Sequence, residues 1–588
     1  MFAIQFFTET FRPDLDVGLH LSVDWAVPVP GFYQDGAWHF RLDERDLPGT
    51  VELKFVLQTI HWQSGENLSV QPAPGATFAF SDLTFDGFRD FVPTVAPVEN
   101  GRISRMYFPP RMSETASDII VVGSGVGGGI IAEQAADRGK KVLLLEAGSY
   151  LFPTHVGNIG RRQWISGRPE KNIWSLWHDF KTQGFVNAPG SHFDGGFGIN
   201  LGGRSIFWGA YIPRMIEAEF AAWPRSVVEF LLRQGGYDVA ERLLRRHRLD
   251  SPYQERVLNS IGEALPQLAA AVLPTAVGQS DPDRQSVPSG VFSTADLLFE
   301  AMLTSGPTGR DNLTVLLNSE VVSVHKVDDD WSVRAFDKIA RVERFYRARK
   351  VVLAAGSVGS PVIVERSRLA DGSGLSGRGL TDHPIYFAHF IVPEGSPYYD
   401  ADRSVKMTLH HRNASAVDHR WIGILDFGSD WGLSRFIDAD TLASHLRARP
   451  GMLAELVFQF SSPLVDEHWV KAGAQIGDPA LLHITPVPIG AVELAEIEQL
   501  LHSVVALVGG VAIPGVPLTM QRAAIGGVAH EAGTLRMGEK ERSVVDDQLE
   551  FHEHPGLFAC DLSVFPSSPA ANPTVTLAAL AQRLAAYL

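Results

Sequence analysis

The sequence has 588 residues, of which 45% are hydrophobic and 20% are charged, a composition typical of globular proteins. At roughly 150 residues per domain this length predicts two to four domains, and the composition excludes disorder, collagen-like repeats or a coiled coil as the dominant state. Acidic side chains outnumber basic ones by 67 to 51, and the net charge is −16, so we expect no nucleic-acid partner.

Residues 1–110 are predicted to form a small all-β sandwich. Runs such as 38–42 and 51–57 alternate apolar and polar residues and are separated by Asp, Gly and Pro turns. Such period-two runs bury one face of each strand, so two sheets built from them can close on a shared core. Prolines and small polar residues at 109–117 predict a linker to the rest of the chain.

The N-terminal segment resembles a starch-binding-type carbohydrate module. Residues 36–42, 47–55 and 62–68 follow that module's order of strand, Pro-Gly turn, strand and tryptophan-containing strand. The resemblance implies that exposed tryptophans stack on sugar rings, which would be the role of Trp38 and Trp62. The alternative is that both are core residues and that the domain only packs against its neighbours or mediates assembly.

From residue 118 the pattern changes to α/β. The apolar run 118–122 is typical of a buried parallel strand, 126–138 is predicted as a helix, and 142–146 as a second strand. These elements make a βαβ unit of about 30 residues. Helical patterns at 216–262, strands at 311–356, a separate sheet within 384–525 and an apolar helix at 574–588 follow. We predict an α/β fold (α+β overall) in which a doubly wound, Rossmann-like domain is joined to an antiparallel-sheet domain.

A glycine-rich turn lies between the first strand and helix of this unit, at Gly123-Ser-Gly125-Val-Gly-Gly128. The first glycine allows the tight turn, the second lets the backbone approach a pyrophosphate, and the third lets the helix pack on the strand. The helix N-terminus then favours the diphosphate. Glu146 ends the second strand, where a carboxylate accepts hydrogen bonds from a ribose diol and disfavours NADP.

Several later motifs resemble the glucose–methanol–choline (GMC) oxidoreductases, and the likeness runs from about residue 116 to 588. The motifs are Gly202-Gly203-Arg-Ser205-Ile-Phe-Trp208-Gly209, Val351-Val-Leu-Ala-Ala-Gly356-Ser-Val-Gly-Ser360-Pro, Gly377-Arg-Gly-Leu-Thr-Asp382-His383-Pro384, His530-Glu-Ala-Gly533-Thr534-Leu-Arg-Met-Gly538, Asp561-Leu-Ser-Val-Phe-Pro and Asn572-Pro-Thr-Val-Thr576.

This resemblance implies FAD as cofactor. Adenine would lie near the strand of Val321, and the isoalloxazine near the Gly-Gly-x-Ser segment. The predicted cofactor-binding residues are Gly123, Gly125, Gly128, Glu146, Gly203, Ser205, Trp208, Val321, Gly356, Asp561, Leu562, Pro573 and Thr574. Some relatives tether FAD through a histidine two residues after the serine of that segment. Here the position is Phe207, so we expect non-covalent FAD.

His530 and Asn572 are the predicted catalytic residues, by their places in the family motifs. A neutral imidazole can accept the hydroxyl proton of an alcohol, and an amide can hold the substrate oxygen in near-attack geometry. We treat His383 as a structural hydrogen bonder. Trp174, Trp177 and His178 either cover the flavin or pack the connection before the Gly-Gly-x-Ser segment, and packing is favoured.

The predicted domains follow from the N-terminal sandwich at 1–110 and the GMC resemblance. An FAD-binding domain is assembled from three separate segments, 116–215, 291–383 and 526–588, the last of which carries the catalytic residues. A substrate domain is assembled from two segments, the helical 216–290 and the sheet-forming 384–525. The single cysteine, Cys560, is interpreted as a small core residue.

The predicted function is FAD-dependent oxidation of an alcohol, with a sugar, glycoside or other polyol as the expected substrate. Hydride would pass to flavin N5 while His530 acts as base. Alternatives are a non-redox, FAD-containing lyase of the same family and a glycan-binding protein with a vestigial flavin fold; an NAD-dependent dehydrogenase is disfavoured. Oxygen, a quinone or a protein could be the electron acceptor, and a homo-oligomer is possible.

No metal-ligand spacing such as His-Glu-x-x-His occurs among the 20 histidines, so we expect no catalytic metal. The N-terminus lacks the pattern of a secretory signal. The longest apolar stretch, 504–518, is interrupted by glycines and prolines and does not resemble a membrane span. We therefore expect a cytoplasmic protein.

Overall fold

The computed structural model describes residues 1–8, 17–47, 49–57, 61–86, 117–158, 177, 180–246, 251–281, 284–303, 312–401, 403–428, 436 and 451–588. The predicted linker, apart from its last residue, lies outside the described residues. So do Trp174 and His178.

The strands of the described residues are β1 (Phe2–Phe7), β2 (Val17–Leu21), β3 (Asp24–Pro30), β4 (Phe32–Gln34), β5 (Ala37–Leu42), β6 (Val51–Leu57), β7 (His61–Trp62), β8 (Leu68–Val70), β9 (Thr77–Phe80), β10 (Ser117–Val122), β11 (Val142–Leu145), β12 (Phe185–Asn187), β13 (Leu268–Val272), β14 (Val277–Asp281), β15 (Arg284–Val291), β16 (Leu313–Leu316), β17 (Ser319–Val327), β18 (Asp330–Asp337), β19 (Val342–Leu353), β20 (Ile385–Pro393), β21 (Val405–His411), β22 (Trp421–Phe427), β23 (Gly451–Phe460), β24 (Ser462–Pro463), β25 (Trp469–Lys471), β26 (Ala480–His483), β27 (Gln521–Arg522), β28 (Leu557–Ala559) and β29 (Ser567–Ser568). The α-helices are α1 (Val126–Asp137), α2 (Arg225–Leu232), α3 (Gly236–Leu243), α4 (Pro252–Ala264), α5 (Thr294–Leu303), α6 (Gly356–Ser367), α7 (Ala491–Val508) and α8 (Thr574–Tyr587).

The first nine strands form two sheets. One has the order β4-β5-β1-β9, and the other has the order β3-β2-β6-β7 with β8 paired to β6. Apolar side chains from both sheets share one core, in which the rings of Phe6 and Phe55 lie 5.0 Å apart. Ala340 and Val342, at the turn between β18 and β19, join the same core. The N-terminal sheets therefore pack against the α/β region of the chain.

A seven-stranded sheet carries the α/β region. Its order is β16-β11-β10-β19-β18-β17, with β28 paired to β19. The strands β16, β11, β10, β19 and β28 run parallel, whereas β17 and β18 form an antiparallel hairpin. The chain order reverses between β10 and β19. In doubly wound sheets a crevice opens at the carboxyl ends of the strands at this switch point, and ligands bind there.

The second large sheet is antiparallel and has the order β13-β21-β22-β23-β20-β27. One face packs against apolar residues of α4 and α7. The pattern at 384–525 predicted only strands and loops, and α7 corrects that prediction. Its buried residues recur with helical spacing at Ile497, Leu500, Leu501, Val504, Val505 and Val508, so the apolar stretch from 504 begins inside a helix. No helix of the described residues is long and apolar enough to span a bilayer.

Candidate active site

The glycine turn lies at the switch point of the parallel sheet. Gly123 has φ +97°, and a Cβ there would lie 2.4 Å from the Ala354 carbonyl oxygen, just beyond β19. Only glycine combines this backbone with so close an approach. Gly125 differs, because a Cβ there would meet nothing within 4 Å. The second glycine thus faces open space at the N-terminus of α1, as a diphosphate-binding turn requires.

Gly128 has a packing role. A Cβ at this position would lie 2.0 Å from the Gly123 carbonyl oxygen and 3.0 Å from the Ala354 Cβ. It allows α1 to sit close to the strands, and it is absent from the lining of the cavity described below. The packing role that the glycine motif predicts for Gly128 is therefore visible in the structure, and its listing among the cofactor-binding residues stays a prediction.

Glu146 is held at the end of β11 by three hydrogen bonds. The Ser124 backbone N–H and hydroxyl donate to Oε2 over 3.0 and 2.5 Å, and the Gly148 N–H donates to Oε1 over 2.7 Å. Burial raises the pKa of this carboxyl group, while the hydrogen bonds oppose the shift. The carboxyl group is fixed beside the glycine turn.

One cavity of about 720 Å³ joins the predicted cofactor and catalytic residues, within the range of about 300–1,000 Å³ common for small-molecule sites. Every predicted site residue except Gly128 lines it: Gly123, Gly125, Glu146, Gly203, Ser205, Trp208, Val321, Gly356, His530, Asp561, Leu562, Asn572, Pro573 and Thr574. The cavity lies between the carboxyl ends of the parallel strands and one face of the antiparallel sheet.

The Gly-Gly-x-Ser segment forms a short 3₁₀ turn, Gly203–Ile206, on the cavity wall. The Ser205 hydroxyl donates to the Gly202 carbonyl over 2.6 Å and accepts from the Thr294 N–H over 3.0 Å. Ser205 therefore holds the turn against the start of α5. The indole N–H of Trp208 likewise donates to the Phe292 carbonyl over 2.8 Å, which fixes its ring at the wall.

Phe207 occupies the position where some relatives carry a flavin-linking histidine. It is buried, lines the cavity and packs 5.5 Å from Trp177 between ring centroids. Its benzyl side chain offers no nucleophilic atom. Trp177 also lines the cavity, so this tryptophan both packs the connection and contacts the site.

The Asp561 carboxylate, predicted to contact the cofactor, accepts three hydrogen bonds from other protein groups. Its Oδ2 accepts from the Gly356 N–H over 2.9 Å and the Ser360 hydroxyl over 2.6 Å, while Oδ1 accepts from the Ser563 N–H over 2.8 Å. The carboxylate thus joins the start of α6 to the C-terminal segment, and burial raises its pKa.

A histidine pair links two distant motifs. The His530 Nδ1 lies 2.9 Å from the His383 Nε2, and the His383 Nδ1 lies 2.6 Å from the Pro569 carbonyl oxygen. His383, interpreted from sequence as a structural hydrogen bonder, is thus the direct neighbour of the predicted base. The Asp-His-Pro motif drew attention to His383, but the sequence separation between His383 and His530 could not show that the two imidazoles are in contact.

Asn572 follows a segment that Glu219 holds in place. The buried Glu219 carboxylate accepts from the N–H groups of Ala570 and Ala571 over 2.6 and 3.0 Å, and from Ile216 over 2.8 Å. Sequence reasoning missed Glu219. The Asn572 Oδ1 is buried and has no hydrogen-bond partner among the described residues, which points to a ligand that donates to it.

Arg204 ties the Gly-Gly-x-Ser segment to the histidine segment. Its guanidinium pairs with Glu531 and donates to the Ala529 carbonyl over 3.0 Å. The Glu531 carbonyl in turn accepts from the Ser357 hydroxyl over 2.6 Å. Both Arg204 and Glu531 line the cavity, and both were missed although they lie inside the quoted motifs.

These features fit an FAD molecule. The open space at Gly125 suits the diphosphate, the buried carboxylate of Glu146 suits a ribose, and the cavity continues to His530 and the unpartnered Asn572 oxygen. An extended dinucleotide needs this combination of a glycine turn at a helix N-terminus and a long adjoining cavity.

A separate side-chain group resembles a metal site. Ligand atoms of His411, His419 and Glu496 lie within 4.8 Å of one another, outside the cavity lining. The two imidazole rings are stacked, with centroids 3.5 Å apart and an interplanar angle of 16°, so their in-plane lone pairs lie in nearly parallel planes. The absence of a catalytic metal stays a prediction.

Comparisons with known proteins found one matching family and several curated relatives. Residues 517–581 match the family described as GMC oxidoreductase. Paromamine 6′-oxidase of Streptomyces fradiae is 25% identical over 551 residues, covering 83% of this chain and 94% of the relative. C-glycoside 3-oxidase of Microbacterium trichothecenolyticum is 25% identical over 527 residues, covering 81% and 97%.

The fold is similar to that of pyridoxine 4-oxidase from Mesorbium loti, with a TM-score of 0.54 and 18% identity over 80% of this chain and 99% of that one. The mixed α/β class predicted from sequence is thereby confirmed. The C-terminal match and the curated relatives support a relationship to the GMC oxidoreductases.

Proposed function

We propose that this protein is an FAD-dependent oxidoreductase of the GMC type that oxidises a CH–OH group of a small molecule to a carbonyl. The observation that carries the proposal is that His530 and Asn572 line the same cavity as the glycine turn at Gly123–Gly128. A sugar, glycoside or other polyol is the proposed substrate class. Curated relatives named as a paromamine and a C-glycoside oxidase support this class.

Bound FAD supplies the acceptor for the hydride that leaves the substrate carbon. Gly125 and the N-terminus of α1 would hold its diphosphate, Glu146 its ribose, and Pro573 and Thr574 the flavin edge. Because Phe207 stands where a linking histidine would be, we propose that FAD is held without a covalent bond.

Residues of the protein accept the hydroxyl proton of the substrate and orient the substrate for reaction. Neutral His530 accepts the hydroxyl proton at Nε2, because its Nδ1 is engaged with His383. The Asn572 amide holds the substrate oxygen, which restricts the C–H bond to a reactive direction. Arg204 and Glu531 keep the two cavity segments at a fixed separation.

A non-redox lyase of the same family and a glycan-binding protein with a vestigial flavin fold are the alternatives. The lyase would hold FAD that no alcohol reduces. The glycan-binding protein would purify without flavin. Buried polar side chains lining the cavity favour an enzyme over a vestigial site, because such groups are costly to bury without a ligand.

The test uses the purified full chain. We expect yellow protein whose flavin is released intact by denaturation and is reduced, without oxygen, by members of a panel of sugars, glycosides and simple alcohols. Reoxidation by oxygen or a soluble quinone then identifies the acceptor. His530→Ala should slow reduction by about 10²–10⁴-fold, and Asn572→Ala should also slow it, with flavin still bound in both.

Matched controls are His325→Ala and Asn413→Ala, at exposed positions outside the cavity lining. Both should reduce flavin at the parental rate. Colourless protein would refute the cofactor assignment. Flavin that no alcohol reduces would refute alcohol oxidation, and parental rates in both site variants would refute the roles of His530 and Asn572.

A further inference from the structure

A row of buried polar side chains crosses the antiparallel sheet where it faces the cavity. Strand pairing places Lys406 opposite Asp426, Asp426 opposite Glu455, and Glu455 opposite His389, across β21, β22, β23 and β20. Each is at least nine-tenths buried. Charged residues in the middle of buried strands are rare unless they are paired or functional, so this row needs an explanation.

Contacts within the protein satisfy some of the hydrogen-bonding groups of these four side chains. Lys406 pairs with the Asp426 Oδ2, which also accepts from the Tyr211 hydroxyl over 3.1 Å. The Glu455 Oε2 lies 2.8 Å from the His389 Nε2. Asp426 and Glu455 line the cavity, whereas Lys406 and His389, on the flanking strands β21 and β20, do not. The cationic and imidazole groups therefore support two carboxyl groups that face the ligand space.

The buried side-chain atoms at the cavity that lack a hydrogen-bond partner are all of one kind. Among the described residues, four buried side-chain atoms of cavity-lining residues have no hydrogen-bond partner: Asp426 Oδ1, Gln459 Oε1, Glu531 Oε2 and Asn572 Oδ1. All four are oxygens that accept hydrogen bonds. Leaving such groups unpaired costs free energy, so a ligand that brings several donors would fit this cavity better than an apolar one.

The acceptor residues of the sheet extend from the catalytic end of the cavity to a distant end, with Gln459 and Glu455 on β23 and Asp426 opposite Glu455 on β22. Gln459 pairs with Ile385, two residues after His383, and Glu455 lies four residues further along β23. At about 3.3 Å per residue this separation is roughly 13 Å. Between them the lining is apolar, with Ile424, Val457 and Phe436. This arrangement suits an extended molecule with polar ends and a carbon framework in between.

We propose that Asp426, Glu455 and Gln459, the acceptor wall, bind hydrogen-bond donors of the substrate other than the hydroxyl group that is oxidised. The inference rests on the proposed function and specifies its substrate class: an extended alcohol that carries further hydroxyl or ammonium groups. Unbranched alcohols without a distal donor are poor substrates, because they leave the buried Asp426 Oδ1 without a hydrogen-bond donor.

The test separates binding from oxidation. Octan-1-ol, octane-1,8-diol and 8-aminooctan-1-ol share a reacting hydroxyl and differ only at the far end. Their dissociation constants are measured by calorimetry on the flavin-loaded His530→Ala protein, which cannot turn them over at the parental rate. We expect the diol and the amino alcohol to bind about 10- to 100-fold more tightly than octan-1-ol, the range for a hydrogen bond to a charged group.

Isosteric variants then show which residues cause the tighter binding of alcohols with a distal donor. Asp426→Asn and Glu455→Gln, each added to His530→Ala, should reduce the advantage of the distal donor about tenfold. Gln459→Leu removes an acceptor near the catalytic end and should leave the distal advantage unchanged, and Glu455→Gln tests the distal end if Asp426→Asn fails to fold. Asp418→Asn and Glu394→Gln, at exposed positions in the same region of the chain, should leave the advantage unchanged.

Tighter binding of the amino alcohol than of the diol identifies an ammonium as the preferred donor, and equal binding identifies hydroxyl groups; both support the acceptor wall. Equal binding of all three alcohols, or an advantage that survives every wall variant, overturns it. If the proposed function fails, the parental flavin is reduced by no member of the panel of sugars, glycosides and simple alcohols, and this outcome does not alter the binding result.

Discussion

The Nε2 atom of His383 lies within hydrogen-bond distance of the Nδ1 atom of His530, 147 positions later in the chain. The Pro569 carbonyl can only accept, so the Nδ1 of His383 carries a proton and the Nε2 of neutral His383 accepts one. The Nδ1 of His530 is then the donor, and the lone pair of its neutral ring lies on Nε2. For a neutral pair, His383 thereby selects the tautomer that the proposed role of His530 as a base requires.

Replacing His383 should impair proton transfer more than binding. We expect His383→Ala to slow flavin reduction roughly tenfold or more, but by less than the about 10²–10⁴-fold cost of losing a general base. The pH dependence of reduction should also shift, because the imidazole of His530 loses its partner. Stopped-flow reduction across pH checks this, with His325→Ala as control. An unchanged pH profile would show that His383 has only a structural role.

Replacing Glu219 should disturb Asn572 from a distance. Its carboxylate accepts from two N–H groups directly before Asn572, and Glu219→Ala would leave these donors buried. We expect a loss of about 1–3 kcal/mol in the free energy of unfolding, with slower flavin reduction. Glu217→Gln, exposed in the same short 3₁₀ helix, is the control. Parental reduction rates in a destabilised Glu219→Ala protein would contradict the positioning role.

The two glycines 125 and 127 should separate cofactor binding from folding. A Cβ at Gly125 meets only open space, whereas a Cβ at Gly127 would lie 1.9 Å from the Cys560 carbonyl oxygen. We expect Gly125→Val to fold but to purify with less flavin, and Gly127→Ala to lower the melting temperature. Flavin-to-protein absorbance ratios and thermal melts measure both effects.

Gly262→Ala is the control for these glycine variants, since its Cβ would also meet nothing within 4 Å and it lies outside the cavity lining. It should retain parental flavin content. A full complement of tightly bound flavin in Gly125→Val would refute a diphosphate at this turn.

The two tryptophans of the N-terminal sheets should behave differently. Trp38 is buried in the shared core, and we expect Trp38→Ala to cost about 3–5 kcal/mol of stability. Trp62 is half-buried, 6.3 Å from Trp25 between ring centroids, so it can still present a surface to a sugar ring. Calorimetry with maltooligosaccharides tests this role. If Trp62→Ala still binds the oligosaccharides, Trp62 has no role in sugar binding.

Local patterns predicted much of the fold. The strand at Ser117–Val122, the helix from Val126 and the strand from Val142 occur close to their expected bounds, because a βαβ unit is encoded by short-range apolar spacing and glycine placement. The helix α7 was missed since its pattern was interpreted as a short apolar stretch. Asp426, Glu455 and Gln459 carried a signal that was overlooked: polar residues inside otherwise apolar strands.

The sequence by itself determined the turn at Gly123–Gly128, the αβ alternation around it and the residue types at 530 and 572. Only the tertiary structure decided that His383 contacts His530, that Glu219 holds the segment before Asn572, and that Asp426 lies opposite Glu455. The physical reason is that backbone preferences act over a few neighbouring residues, whereas these contacts join positions far apart in the chain and exist only because sheet pairing and core packing bring them together.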